Sequence, residues 1–236
     1  MPFKRKFEAK DVALTVCFTA LYVVLGFLSI SPIIGLPGKT ITAAAIIAPI
    51  MGILLGTYLG ALSAILGGII GFFATSFSPP SLFSGFFAAL CAGMLSDDRR
   101  NFCTLTYLLL LSAFGLYPLV GPVWLYPPLM WFQIIGLLIL ISPLQLIALK
   151  NLNSNNNSRL LFGFFVTSLT STLAGQIAGS LAIVVLIPDV NFWKANWIFL
   201  TFLYPVERII IALSSAFLGT SLHRVLGFST NIQKHS

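Results

Sequence analysis

The chain has 236 residues, of which 58% are apolar and 8% charged, with a formal net charge of +7. A soluble domain carries roughly 25% charged residues to keep its surface wet, so these figures and a mean hydropathy of +0.99 exclude a water-soluble globule. They predict an all-α, polytopic membrane protein of the cell membrane: at about 20 residues per crossing, six to eight transmembrane helices in a single transmembrane domain over 1–236.

The apolar runs are continuous rather than alternating, which argues against a transmembrane barrel. Basic residues at the start (Lys4, Arg5, Lys6, Lys10) precede a first span from Asp11 to about Ile30. That run has no small-residue cleavage site and is long enough to span, so it reads as a retained helix rather than a signal peptide. The stretch Ser31-Pro-Ile-Ile-Gly-Leu-Pro-Gly38 then breaks the chain. Two further spans, Thr40–Leu59 and Ala61–Phe77, are separated only by Gly56-Thr-Tyr-Leu-Gly60, and Ser78-Pro-Pro80 closes the second of them. Two short segments follow, Leu82–Ser96 and Thr104–Pro118, with Asp97-Asp-Arg-Arg100 between them. Leu129–Leu149 is a full-length span. The polar stretch Asn151–Ser158 reads as a flexible cytoplasmic loop, Leu160–Leu186 follows, and the last helix runs from Trp197 or Pro205 to Leu226.

The basic residues test this layout. With eight crossings and both termini in the cytoplasm, Lys4, Arg5, Lys6, Lys10, Arg99, Arg100, Lys150, Arg159, Arg224 and Lys234 all fall inside. Lys39, Lys194 and Arg208 fall at or near the outer side. That bias is the positive-inside rule, and it accounts for the net charge without a nucleic-acid partner. Six spans with one re-entrant pair would also place both termini inside; we favour eight.

Small residues recur at one-turn spacing in Gly52-x-x-x-Gly56-x-x-x-Gly60, Gly67-x-x-x-Gly71 and Gly175-x-x-x-Gly179. Such faces let helices approach closely in lipid, either within the chain or against a partner subunit. On the first helix Ala9, Ala13 and Cys17 form a comparable stripe, with Ala20 one turn further.

Polar residues at membrane depth are scarce, so each one is informative. Lys39 and Thr40, Trp131 and Gln133, Gln176, and Tyr204 with Glu207 all fall in the outer half of the layout, where they can converge on a small-molecule cavity. Glu207 and Arg208 are adjacent and point about 100° apart on a helix, so at most one faces such a cavity. Trp124, Trp131, Trp193 and Trp197 also fit an outer aromatic belt, and the Ser and Thr of 167–172 fit bonds back to their own helix. The three cysteines are scattered and read as buried thiols. No catalytic constellation, phosphate-cradling loop or metal-ligand cluster is apparent, and no cofactor is called for.

The run Lys10-Asp-Val-Ala-Leu-Thr-Val-Cys-Phe-Thr-Ala-Leu-Tyr-Val-Val-Leu-Gly26, the break Pro32–Gly38, and Ala48-Pro-Ile-Met-Gly-Ile-Leu-Leu-Gly-Thr-Tyr-Leu-Gly-Ala-Leu-Ser-Ala-Ile-Leu-Gly-Gly68 resemble the S components of energy-coupling factor transporters. The opening of the last helix, Tyr204-Pro-Val-Glu207, is similar as well. The resemblance implies a substrate-binding membrane subunit that holds a vitamin or micronutrient near its outer face, under the loop between the first two spans. It also implies partners: a transmembrane coupling subunit, contacted through Ala9 and Ala13, and two ATPases. The family typically has six helices, where the hydropathy pattern here gives eight. The alternative expectation is an accessory subunit of a larger membrane complex with no ligand of its own. A self-sufficient carrier would need an internal repeat, and the two halves show none.

Overall fold

A computed structural model describes residues 9–75 and 77–227; Lys4, Arg5, Lys6 and Lys234 lie outside that range. The described residues are 81% helical, and among them the sheet is a single two-stranded hairpin. Among the described residues four helices are long and apolar enough to cross a membrane, or five if one bent pair is counted as a span.

Helix α1 (Ala9–Leu25) stops five residues before the expected end of the first span. Ser29–Pro32 (β1) and Thr40–Thr42 (β2) instead pair antiparallel, Ser29 opposite Thr42 and Pro32 opposite Thr40. Short stretches alternating hydroxyl and β-branched residues favour strand once a partner lies alongside. In the connecting turn Gly35 and Gly38 take φ of +94° and +75°, which glycine adopts without a Cβ penalty.

Helix α2 (Ala44–Ala74) is two arms joined by a reversal at Gly56, whose φ is +81° and ψ −177°. A Cβ on Gly60 would lie 2.8 Å from the Gly52 Cα, so the arms 44–55 and 57–74 fold back on each other. Two arms thus occupy the region read as two spans, joined at a single residue, and together they make one helix long and apolar enough to cross a membrane. The Gly52–Gly56–Gly60 repeat is a turn and its close flanks, not one helix face. Asp97 caps the second arm: Thr57 N and Oγ1 donate to its Oδ2 at 2.9 and 2.6 Å. A carboxylate there meets the positive end of the helix.

Helix α3 (Pro79–Ser96) is longer than expected because Ser78 is its cap, accepting from Ser81 N, and the prolines fill its first positions rather than ending the previous span. Helix α4 (Arg100–Gly115) leads to a short α5 (Pro122–Leu125) and a 3-10 turn at Pro127–Met130. The expected continuous span over 129–149 is broken into α6 (Trp131–Ile141) and α7 (Pro143–Asn151), bent by 68°. Pro143 cannot donate to the Ile139 carbonyl, and the Ser142 hydroxyl takes its place at 2.8 Å. The polar linker shrinks to residues 152–156, since Asn156 caps α8 (Asn157–Leu186). Asp189 likewise caps α9 (Val190–Val225), which starts well before Trp197. Pro205 sits inside α9 and leaves the Thr201 carbonyl without its helical donor; the Trp131 indole N–H supplies one at 3.2 Å.

The packing suits lipid. Large apolar side chains face outward, Phe73 at 83% and Phe202 at 70% exposure, while Ser63, Ser168 and Ser171 are wholly buried. Small residues set the helix separations: a Cβ on Gly52 would meet the Ala89 carbonyl at 2.2 Å, and one on Gly175 the Ser84 carbonyl at 2.4 Å. The glycine motifs are thus used inside the chain. Ala9, Ala13, Cys17 and Ala20 are exposed on α1, which corrects the reading of Cys17 as a buried thiol. The aromatic-belt reading also fails in part. Trp193 and Trp197 are buried and stacked at 4.5 Å, whereas Trp124 and Trp131 reach the surface.

Candidate functional site

A cavity of about 80 Å³ lies beneath the β1–β2 hairpin. That is several times the roughly 10–15 Å³ that one water needs. Six parts of the chain build it. Tyr22 comes from α1; Ile33, Ile41 and Thr42 come from the hairpin; Ala45 opens α2. Phe77, Ser81, Ser84 and Gly85 belong to the start of α3 and the residues before it, and Gln176 and Ser180 to α8. Tyr204 and Arg208 complete it from α9, where a spacing of four puts them on one helix face. Its walls are mostly apolar with a few convergent polar groups, the usual composition of a small-molecule site.

Local structure explains why these groups meet. Gly85 lacks a side chain where the Tyr22 hydroxyl arrives: a Cβ there would sit 1.8 Å from that oxygen. Tyr22 and Phe77 make an edge-on ring pair at 5.5 Å. Close packing of Gly175 on Ser84 and of Gly179 on Pro80 brings α8 against α3 on either side of Gln176. Ser180 of α8 and Tyr204 of α9 both line the cavity.

The hairpin is held over the cavity by two side-chain bonds and braced by one within it. Ser31 donates to Glu207 Oε1. Lys39 Nζ donates to the Phe77 carbonyl at 2.9 Å. The Ser29 and Thr40 hydroxyls bond each other at 2.9 Å, tying the strands together. Gly35, in the turn, lies against Ile187 and Phe192 at the α8–α9 connection.

Gln176 is the outlying group. It is 5% exposed, it lines the cavity, and neither its Nε2 nor its Oε1 has a hydrogen-bond partner among the described residues. Arg208 is 3% exposed, and its Nε is likewise without a partner. Glu207 does not line the cavity; its Oε2 lies 3.6 Å from Arg208 Nη2.

The expected site residues therefore divide. Gln176 and Tyr204 line the cavity, while Lys39, Thr40 and Glu207 hold its cover. Trp131 and Gln133 lie elsewhere. Trp131 is 44% exposed and serves the carbonyl freed by Pro205. Gln133 is buried where its backbone carbonyl accepts from Tyr107 at 2.8 Å. The sequence had singled out Arg208 as one of an adjacent charged pair, of which only one member could face a cavity; the structure chooses Arg208 over Glu207. Ser81, Ser84, Ser180 and Tyr22 carried no signal, because hydroxyls in apolar helices usually bond to their own backbone. Thr170, Ser171 and Thr172 do so, to Val166 and Thr167, Ser168 and Leu169 respectively. Asp97, which with Asp98 could suggest a metal site, is committed to its cap on Thr57.

Compared with known proteins, the chain matches no family model, no curated protein and no solved structure.

Proposed function

We propose that the chain is the substrate-specific membrane subunit of an energy-coupling-factor-type importer. It crosses the bilayer eight times with both termini in the cytoplasm, counting each arm of α2 as one crossing and α6–α7 as another. A small solute, a vitamin or micronutrient, binds in the cavity beneath the hairpin near the outer face. Delivery requires a transmembrane coupling subunit and ATPases, with the exposed Ala9, Ala13 and Cys17 of α1 as the contact for the coupling subunit. The subunit binds and releases its solute and performs no chemistry on it.

One observation carries this reading: the Gln176 amide is buried, lines the cavity and has no partner among the described residues. Leaving a buried amide unpaired costs about 1–3 kcal/mol, and a solute with a donor and an acceptor recovers it. The accessory-subunit reading accounts for the glycine packing but leaves that cost without a purpose.

Native mass spectrometry of the purified full chain tests the proposal. The wild type retains a small-molecule adduct, and Gln176→Leu loses it while unfolding at the same or a higher temperature. An adduct undiminished in that variant would sink the site assignment. Co-purification with a coupling subunit, weakened by Ala13→Phe, tests the partner; a solitary protein that transports unaided would refute it.

A further inference from the structure

The charges around the cavity define the chemistry of its solute, granted the proposal that the cavity is a solute site. Arg208 is the one charged residue among the described residues that line it, and it is 3% exposed. A buried cation is costly unless it is both paired and hydrogen-bonded. Its neighbour Glu207 pairs with it only loosely. The carboxylate stands 3.6 Å away, beyond the roughly 2.7–2.9 Å of a charge-assisted bond. Its other oxygen is taken by Ser31 of the hairpin. Arg208 Nε is left without a partner among the described residues.

The balance of charge agrees. Arg208, Glu207 and Lys39, the last bonded to the wall residue Phe77, sum to +1. A cationic solute would add to this excess of positive charge, while a monoanion neutralises it. Arginine presents a planar fork of donors that matches a carboxylate. The Gln176 amide, which also lines the cavity, has neither its donor nor its acceptor partnered among the described residues, and Tyr22, Phe77 and Tyr204 supply flat apolar walls. We infer that the solute is a small aromatic monocarboxylic acid, with its carboxylate on Arg208, a polar ring substituent or ring atom on Gln176, and its ring against the aromatic walls.

Benzoate and benzamide test this, since they share a shape and differ in charge. Thermal unfolding of the full chain in detergent is followed against each probe. Benzoate should stabilise with an apparent affinity about tenfold tighter than benzamide, the margin between a charge-assisted and a neutral hydrogen bond. Arg208→Gln should reduce benzoate to the benzamide value, and Arg208→Lys should keep part of the preference. Equal or tighter binding of benzamide to the wild type overturns the inference, and this comparison stands even if Arg208→Gln fails to fold. Benzoate binding that survives Arg208→Gln overturns it as well. Benzamide binding that Gln176→Leu removes would leave the cavity proposal intact. No shift with either probe at millimolar concentration also overturns the inference, and the adduct retained by the wild type then judges the cavity proposal separately.

Discussion

Gln145 and Gln176 are both buried amides on apolar helices, and their surroundings differ in a way that separates structure from function. Gln145, on α7, has a partner for each amide atom: its Nε2 donates to Thr167 Oγ1 at 3.4 Å, and its Oε1 shares the Thr170 hydroxyl proton at 3.2 Å with carbonyls of α8. Gln176, on α8, has neither bond. The first amide joins two helices. The second opens onto a cavity beneath a hairpin. A polar group at depth is therefore informative only once its partners are known, because an amide that finds two threonines is part of the packing.

That contrast can be broken or sharpened by substitution. The largest effect is expected from Gly175→Val, whose side chain would drive into the Ser84 carbonyl and force α8 from α3. We expect a loss above about 3 kcal/mol, seen as aggregation on size-exclusion chromatography. Next comes Asp97→Ala, which removes two charge-assisted bonds to Thr57 at the reversal of α2. A loss of about 2–3 kcal/mol should lower the unfolding temperature while leaving the affinity of the surviving folded protein unchanged. Gln145→Leu should cost about 1–2 kcal/mol, since Thr167 and Thr170 lose their inter-helix partner.

Gln176→Leu should show the opposite pattern: stability unchanged or raised by up to about 1 kcal/mol without solute, and solute retention lost. If Gln145→Leu and Gln176→Leu were equally destabilising, the distinction between the two amides would collapse. The smallest effect is expected from Ser31→Ala, which frees one end of the hairpin from Glu207. Its cost in stability is below about 1 kcal/mol, and it should instead accelerate solute release in a dissociation time course.

Much of the fold was legible in the chain because lipid imposes simple rules. Continuous apolar runs must be helices, since every backbone group has to be satisfied internally. The boundaries were harder to read. Pro79 was read as closing a span and Pro143 lay inside an expected one, yet they start α3 and α7. A proline near a boundary marks the break without saying which side the helix lies on, because it suits the first turn and disrupts the interior. The hairpin was missed for a different reason. Its strands are four and three residues long, and such short stretches pair only because the bundle beneath holds them together.

Of the expected site, Gln176 was visible because an amide in an apolar helix always needs an explanation. Trp131 was drawn in by its position beside Gln133, and nothing local reveals that it serves a carbonyl 70 residues away.

By itself the sequence determined the class of protein, most of the helical segments, and the short roster of polar residues that need a reason. All three follow from composition and from periodicity along the chain, which are local properties. Tertiary structure alone decided that α2 turns back at Gly56, that Arg208 rather than Glu207 faces the cavity, and that Gln145 is satisfied while Gln176 is not. Each of these depends on groups brought together across long stretches of chain; Ser31 and Glu207 are 176 residues apart. No local pattern encodes such a meeting, because it is the packing of small residues between helices that sets which distant groups come within hydrogen-bond reach.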